Sequence, residues 1–166
     1  MARKMQSTIR EPLEKQTGEL LSQRGWTVAL AESCTGGLLG HRITNVSGSS
    51  AYFQGGVISY SSEAKEQILG VPHEILVKHG TVSKETALAM AQGARRLFGT
   101  DIALSLTGIA GPTGGTPEKP VGLVYIALAA EGVDLWEKHI WQGEREENKR
   151  QSTEAVLQLL LRYLTR

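Results

Sequence analysis

Apolar positions along the chain change their period several times, and each change marks an element. Leu13, Leu20 and Leu21, with Ile9 ahead of them, suit one face of a first helix that Gly25 stops. Residues 27–31 have the length and β-branched content of a short buried strand. Leu38, Leu39, Ile43 and Val46 then recur at roughly helical spacing, which predicts a helix from about 35 to 46. After the punctuation of Gly48-Ser49-Ser50, residues 51–60 read as a second strand, in which the pair Gly55-Gly56 predicts a bulge or a close backbone approach. Ser61 or Ser62 caps a short helix carrying Glu63, Lys65 and Ile68 and closed by Gly70 and Pro72. Ser83 caps a longer one through Leu88, Ala91 and Leu97 to Gly99. Residues 101–107, 122–130 and 133–141 read as three more strands, the last two joined by a turn at Glu131-Gly132. Val156, Leu157, Leu160, Leu161 and Leu164 line one face of a final helix.

This order predicts an α/β chain folded as a three-layer α/β/α sandwich, with parallel early strands and a meander of later ones. Ligands of such open sheets gather outside the carboxyl ends of the parallel strands. Ser33, Tyr60 and Thr107 each stand at such an end. The stretch 108–120, Gly-Ile-Ala-Gly-Pro-Thr-Gly-Gly-Thr-Pro-Glu-Lys-Pro, fits neither a helix nor a strand interior and is long for a plain connection. It reads as a binding loop, too glycine-rich to be stiff throughout.

Composition narrows the classes. A chain of 166 residues fits one domain, 1–166, with about 1–8 as a flexible extension; no repeat, linker or low-complexity tract divides it. Eighteen basic against 17 acidic residues and few aromatics give no case for nucleic acid. No apolar run approaches a membrane span, and the basic N-terminus lacks a following apolar segment. Cys34 is the single cysteine, which forbids an intrachain disulfide and suits a reducing compartment, so a cytoplasmic protein is expected.

The chemistry concentrates in Ala31-Glu32-Ser33-Cys34-Thr35-Gly36-Gly37. A corner between strand and helix offers unpaired backbone N–H groups that can hold a phosphate or an oxyanion, and Gly36 and Gly37 admit close approach; the same pattern also serves as a helix cap with a tight turn. A serine nucleophile requires a base. His41, His73, His79 and His139 are scattered, form no Ser-His-Asp pattern and, with one cysteine, make no zinc set. Lys65 lies in a first helical turn, where the dipole and burial both lower an amine pKa, and Tyr60 at the adjoining strand end can relay a proton; the plain alternatives are a solvated lysine and a packed tyrosine. Cys34 is a rival nucleophile or a packing residue. Arg145, Lys149 and Arg150 form either an anion partner or, with Glu144, Glu146 and Glu147, a solvated face. Phosphate-loop, dinucleotide-fold and Ser-x-x-Lys motifs are absent.

Five motifs in order, Ala31 to Gly37, Gly48-Ser49-Ser50, Tyr60-Ser61-Ser62-Glu63-Ala64-Lys65, Gly108-Ile109-Ala110-Gly111-Pro112 and Lys119-Pro120-Val121-Gly122, resemble the CinA C-terminal domain family over nearly the whole chain. The resemblance implies a mixed five-stranded sheet in order 2-1-3-4-5 with strand 4 antiparallel. It implies deamidation of nicotinamide mononucleotide to nicotinate mononucleotide and ammonia in pyridine nucleotide salvage, with no metal or other cofactor, and a homo-oligomer, dimer or larger. Ser33 is then the nucleophile, Lys65 and Tyr60 the base and relay, and the Thr35-Gly36-Gly37 corner the oxyanion site. Loop chemistry gives Thr107, Gly108, Gly111, Gly114, Gly115 and Arg145 as substrate-binding residues, with the loop and Arg145 on the phosphate. Ser62 stands where the family pattern has Asn, and Lys149 where many members have Arg. The alternatives are a nucleotide-binding or regulatory module without turnover, and an amidase for another small carboxamide.

Overall fold

The computed structural model describes residues 10–166; Ile9 and the extension expected at about 1–8 lie outside them. The elements run α1 (Leu13–Arg24), β1 (Val28–Glu32), α2 (Leu38–Thr44), a 3-10 turn (Ser49–Ala51), β2 (Phe53–Ile58), α3 (Ser62–Leu69) and α4 (His73–His79). They continue with α5 (Lys84–Phe98), β3 (Ile102–Gly108), β4 (Leu123–Ala130), β5 (Val133–Ile140) and α6 (Arg145–Leu164). The sheet order is β2-β1-β3-β4-β5. β1 pairs parallel with β2 and β3, while β4 pairs antiparallel with both β3 and β5. Helices α1, α2 and α6 cover one face and α3, α4 and α5 the other. This is the expected α/β/α sandwich, with β4 alone reversed.

Side-chain size alternates with the pleat and makes the two faces different. Val28 and Leu30 on β1, Ile102, Leu104 and Leu106 on β3, and Ile126 and Leu128 on β4 meet Leu21, Leu39, Leu157 and Leu160 in one thick core. Their neighbours Ala29, Ala31, Ala103, Ala127 and Ala129 face α5. Small residues let α5 lie close to the sheet, where the buried Ser105 hydroxyl donates to the Ala87 carbonyl at 2.5 Å. The crossing of α5 and α3 is tighter still, since a Cβ on Gly93 would stand 2.0 Å from the Leu69 carbonyl oxygen.

Four local departures have physical reasons. Gly36 (φ 59°) and Gly37 (φ 103°) are left-handed, so α2 starts at Leu38 rather than near 35. The strand expected over 51–60 divides into the 3-10 turn and a shorter β2, whose register skips Gln54 in a bulge just before Gly55. Pro72, read as the stop of α3, is also the N-cap of the unexpected α4. The 108–120 loop is pinned rather than slack: Gly122 N–H donates to Ile109 O at 2.8 Å, Thr116 N–H to Lys119 O at 2.8 Å, and Asn148 Nδ2 to Ala110 O at 3.0 Å. Among the described residues no helix is long and apolar enough to cross a membrane.

The α3–α5 contact is testable. Gly93→Ala forces the helices apart and is expected to lower unfolding stability by about 1–3 kcal/mol, the usual range for overpacking. Urea denaturation reads this directly, and a loss below about 0.5 kcal/mol would contradict the close crossing.

Candidate active site

Ser33 follows the last residue of β1, and its amide donates to Leu106 O at 3.1 Å, which extends the β1–β3 ladder by one bond. The chain then turns through 33–37 before α2. Within this turn Gly36 N–H donates to Ser33 O and Leu38 N–H to Thr35 O, both at 3.1 Å. The first-turn amides of α2 are also occupied, because the buried Glu32 carboxylate accepts from Leu39 N–H and Gly40 N–H, each at 3.0 Å. Of the two readings of the corner, the helix end is therefore capped, with the acceptor supplied by Glu32 from the preceding strand rather than by the corner itself. Among the described residues, the amides of Cys34, Thr35 and Gly37 meet no protein acceptor.

Lys65 is 1% exposed, a rare state for a lysine. Ser61 Oγ caps α3 by accepting from Ala64 N–H, and the helix enters the fold with Lys65 inward and Ile68 outward. The Lys65 amine lies 3.0 Å from Ser33 Oγ and donates to Ser59 O at 2.6 Å. Ser59 is fixed in turn by its amide, which donates to Glu32 O at 2.8 Å. Burial away from water pushes the Lys65 pKa down from 10.5 to about 8. A neutral amine in this position donates to Ser59 O and offers its lone pair to the Ser33 hydroxyl. Burial acts oppositely on Cys34, holding its thiol at about 11 and keeping it protonated.

Around this pair opens a crevice of about 270 Å³, also lined by Tyr60, Thr107, the loop residues Gly108 to Gly111, Thr113, Gly114 and Arg145. The structure thus brings together Ser33, Tyr60, Lys65, Thr107, Gly108, Gly111, Gly114 and Arg145, which are widely separated in sequence. It does not bring Thr35, Gly36, Gly37 or Gly115 into the wall. The Thr35 hydroxyl donates to Glu32 Oε1 at 2.6 Å. A Cβ on Gly115 would stand 2.6 Å from Val121 N, and one on Gly111 2.4 Å from Val121 Cγ1, so both glycines serve the folding of the loop. Thr107 lines the crevice while its hydroxyl donates to Thr81 O at 2.7 Å.

Tyr60 is 63% exposed. Its hydroxyl accepts from Arg145 Nη2 at 3.3 Å, while Arg145 Nη1 donates to Gly111 O at 2.8 Å. Arg145 therefore faces the crevice. Arg150 instead pairs with Glu147 at 2.7 and 2.9 Å on the surface, so the basic cluster read from the sequence divides. The lining carries Lys65 and Arg145 and no carboxylate. His73, His79 and His139 pair with Glu66, Glu85 and Glu137, away from this crevice. Sequence reasoning passed over Thr81 and Val82, which line the wall ahead of α5, and assigned no role to Glu32. The buried carboxylate could have been found from its place between an apolar strand and a glycine corner.

A mixed α/β/α sheet with a serine and a buried lysine in contact at the strand ends defines the class. The CinA C-terminal domain model matches residues 10–164, and the chain belongs to that family. It is 55% identical over 147 residues to a CinA-like protein of Chlorobium chlorochromatii, covering 87% of this chain and 35% of that protein. The chain spans little more than a third of the length of the curated relatives it matches. Among solved structures, a CinA superfamily protein of Klebsiella pneumoniae superposes with a TM-score of 0.89 at 33% identity, covering 92% of this chain and 96% of that one. The competence/damage inducible protein CihA of Agrobacterium tumefaciens gives 0.87 at 37% identity, with coverages of 93% and 96%.

The depressed amine predicts a cost in stability. Lowering a lysine from 10.5 to about 8 on folding corresponds to roughly 3 kcal/mol below pH 8. That cost lifts as the pH rises from 8 towards 10.5, where the unfolded chain also loses its proton. Lys65→Met leaves Ser59 O without its donor, at about 1 kcal/mol. A net gain of roughly 1–3 kcal/mol is expected at pH 7, falling to nothing near pH 10 and turning above it into a loss of about 1 kcal/mol, the pH-independent Ser59 contact. Denaturant curves at pH 7 and pH 10 measure it, and a variant less stable at pH 7 than the parent would contradict a dry, strained amine.

Proposed function

We propose that the protein hydrolyses the carboxamide of nicotinamide mononucleotide, giving nicotinate mononucleotide and ammonia. The observation that carries this reading is the buried Lys65 amine 3.0 Å from Ser33 Oγ. Membership of the family supports the choice of substrate, and a crevice with Lys65 and Arg145 but no carboxylate suits a phosphorylated molecule. Lys65 Nζ takes the Ser33 proton as Oγ attacks the carboxamide carbon. The carbonyl π pair moves to oxygen, where the unoccupied amide of Cys34 on the crevice wall stabilises it. Collapse of this intermediate expels ammonia, which leaves with the proton that Lys65 carried. Water then attacks the acyl-serine as Lys65 accepts its proton, and collapse of the second intermediate breaks the bond to Oγ, to which Lys65 returns that proton, releasing nicotinate mononucleotide.

Tyr60 and Arg145 have separable roles in this scheme. Arg145 holds the 5′-phosphate together with the 108–115 loop. Tyr60, at the exposed rim against Arg145, donates to the substrate or relays protons as ammonia leaves. An amidase for an unphosphorylated carboxamide gives the Arg145 charge no anion to meet, leaving it only its contacts to Gly111 O and the Tyr60 hydroxyl.

The test is ammonia release from nicotinamide mononucleotide by the purified chain. Ser33→Ala and Lys65→Ala are each expected to lose at least about a thousand-fold in kcat while remaining folded. Because only the neutral amine accepts the serine proton, kcat/KM should fall below an apparent pKa near 8 and level off above it. Nucleotide binding without ammonia release from the unmodified chain would replace this reading with a regulatory module. Arg145→Ala should raise KM about ten-fold or more for the nucleotide, an order set by losing one charge-assisted contact. It should leave KM for the corresponding nucleoside unchanged. An equal effect on both would remove Arg145 from the phosphate.

A further inference from the structure

Glu32 is 3% exposed, lies at the end of β1 and has no place in the reaction as written above. Its carboxylate accepts three hydrogen bonds, from Thr35 Oγ1 and Leu39 N–H on Oε1 and from Gly40 N–H on Oε2. Those donors span the turn that follows Ser33 and the first turn of α2. The Glu32 carbonyl oxygen accepts from Ser59 N–H at 2.8 Å, and Ser59 O is the acceptor that holds the Lys65 amine at 2.6 Å. One residue is thus bonded to the turn carrying the nucleophile and to the segment that anchors the base.

We propose that Glu32 is the positioning residue of the Ser33–Lys65 pair, its carboxylate fixing the 33–37 turn at the distance from Lys65 that proton transfer requires. The inference rests on the amidase reading for its activity assay, yet the geometry concerns only how Ser33 meets Lys65. A cap serving stability alone needs one acceptor oxygen at a helix start. Here both oxygens are engaged, and the Thr35 hydroxyl is drawn back into the turn beside the nucleophile. The carboxylate also completes the α2 terminus from inside the protein. The amide of Cys34, immediately after the nucleophile and on the crevice wall, is left for the developing oxyanion.

Glu32→Gln tests this because the amide keeps the shape but replaces one acceptor by a donor facing an N–H group. Thr35→Val is a milder second variant that removes one of the three donors. With nicotinamide mononucleotide as substrate, Glu32→Gln is expected to lower kcat about ten- to a hundred-fold, the usual effect of slight misplacement. KM should stay within about two-fold. Thr35→Val should lose about three- to ten-fold in kcat. The midpoint of the pH–rate profile should remain near 8 with a lower plateau, because the Ser59 contact runs through the backbone and Lys65 stays buried. A midpoint displaced towards 10.5 with an undiminished plateau would show that the substitution merely wets Lys65, and would overturn the proposal. So would an unchanged kcat in folded Glu32→Gln.

Reaction of Ser33 with phenylmethanesulfonyl fluoride, followed by mass spectrometry, separates this proposal from the choice of substrate. Oγ bonds to sulfur, fluoride leaves, and the serine proton passes through Lys65 to solvent. Labelling that slows at least ten-fold in Glu32→Gln supports the positioning role even where the parent releases no ammonia from the nucleotide. Equal labelling rates in parent and variant would sink it even where the parent is an active amidase.

Discussion

A lysine amine held out of water imposes the strictest requirement in this structure. Lys65 cannot be solvated where it sits, so its surroundings must supply an acceptor for its protons and a hydroxyl for its lone pair. Ser59 O and Ser33 Oγ do both. Meeting that requirement orders much else. α3 must present its one lysine inwards and leave Ile68 half exposed, an inversion of the usual amphipathic arrangement. α5 must come close enough to hold α3 there, which requires the alanine-rich face of the sheet and the bare backbone at Gly93.

Strand order explains why the reacting groups meet where they do. From β1 the chain leaves through α2 on one face to reach β2, then passes through α3, α4 and α5 on the other face to reach β3. The connections that leave the carboxyl ends of β1 and β3 run in opposite directions, to β2 and to β4, which opens a crevice between them. Ser33 follows β1, Thr107 and Gly108 end β3, and α3 returns Lys65 from the end of β2. Reversal of β4 completes the enclosure. An antiparallel strand must begin at the end where β3 finishes, so the 108–120 connection folds over the crevice instead of crossing the sheet. Arg145 and Asn148, from the start of α6, hold that connection by its carbonyls.

The elements that bury a continuous apolar face could be read from the sequence, because a period of two or of 3.6 persists through them. β1, β3, β4, α5 and α6 belong to this group, whereas the corner and α3 were marked by their glycines and caps. Boundaries failed where one residue served two elements: Pro72 both follows α3 and opens α4. Pairing of buried polar groups was equally invisible, since no local pattern tells which acceptor will claim an amide. The glycine corner read either as an open helix end or as a cap, and nothing local showed that Glu32, from the strand before it, closes that end. Gly36 and Gly37 serve the left-handed turn, and Gly115 an approach to Val121. Ser33 and Lys65 were recognisable as types, whereas their 3.0 Å contact depends on a 32-residue separation that only tertiary structure closes.

The two cations of the crevice set opposite electrostatic demands, and their placement reconciles them. Lys65 must lose its proton near neutral pH to act as a base, and any anion held close to it would favour the charged amine and silence it. Arginine keeps its charge throughout this range, so it can compensate a phosphate without titrating. Arg145 is tied to Gly111 O and the Tyr60 hydroxyl, at the loop and rim of the crevice, while Lys65 is tied to Ser59 O in its floor. A phosphorylated carboxamide that spans from rim to floor satisfies both, with its charge met by the group that cannot titrate and its neutral carboxamide presented to the group that must. Reversing the substrate would place the phosphate beside Lys65, raise the amine pKa and remove the base. On the proposed amidase reading, the arrangement that would hold the nucleotide would therefore also select its orientation.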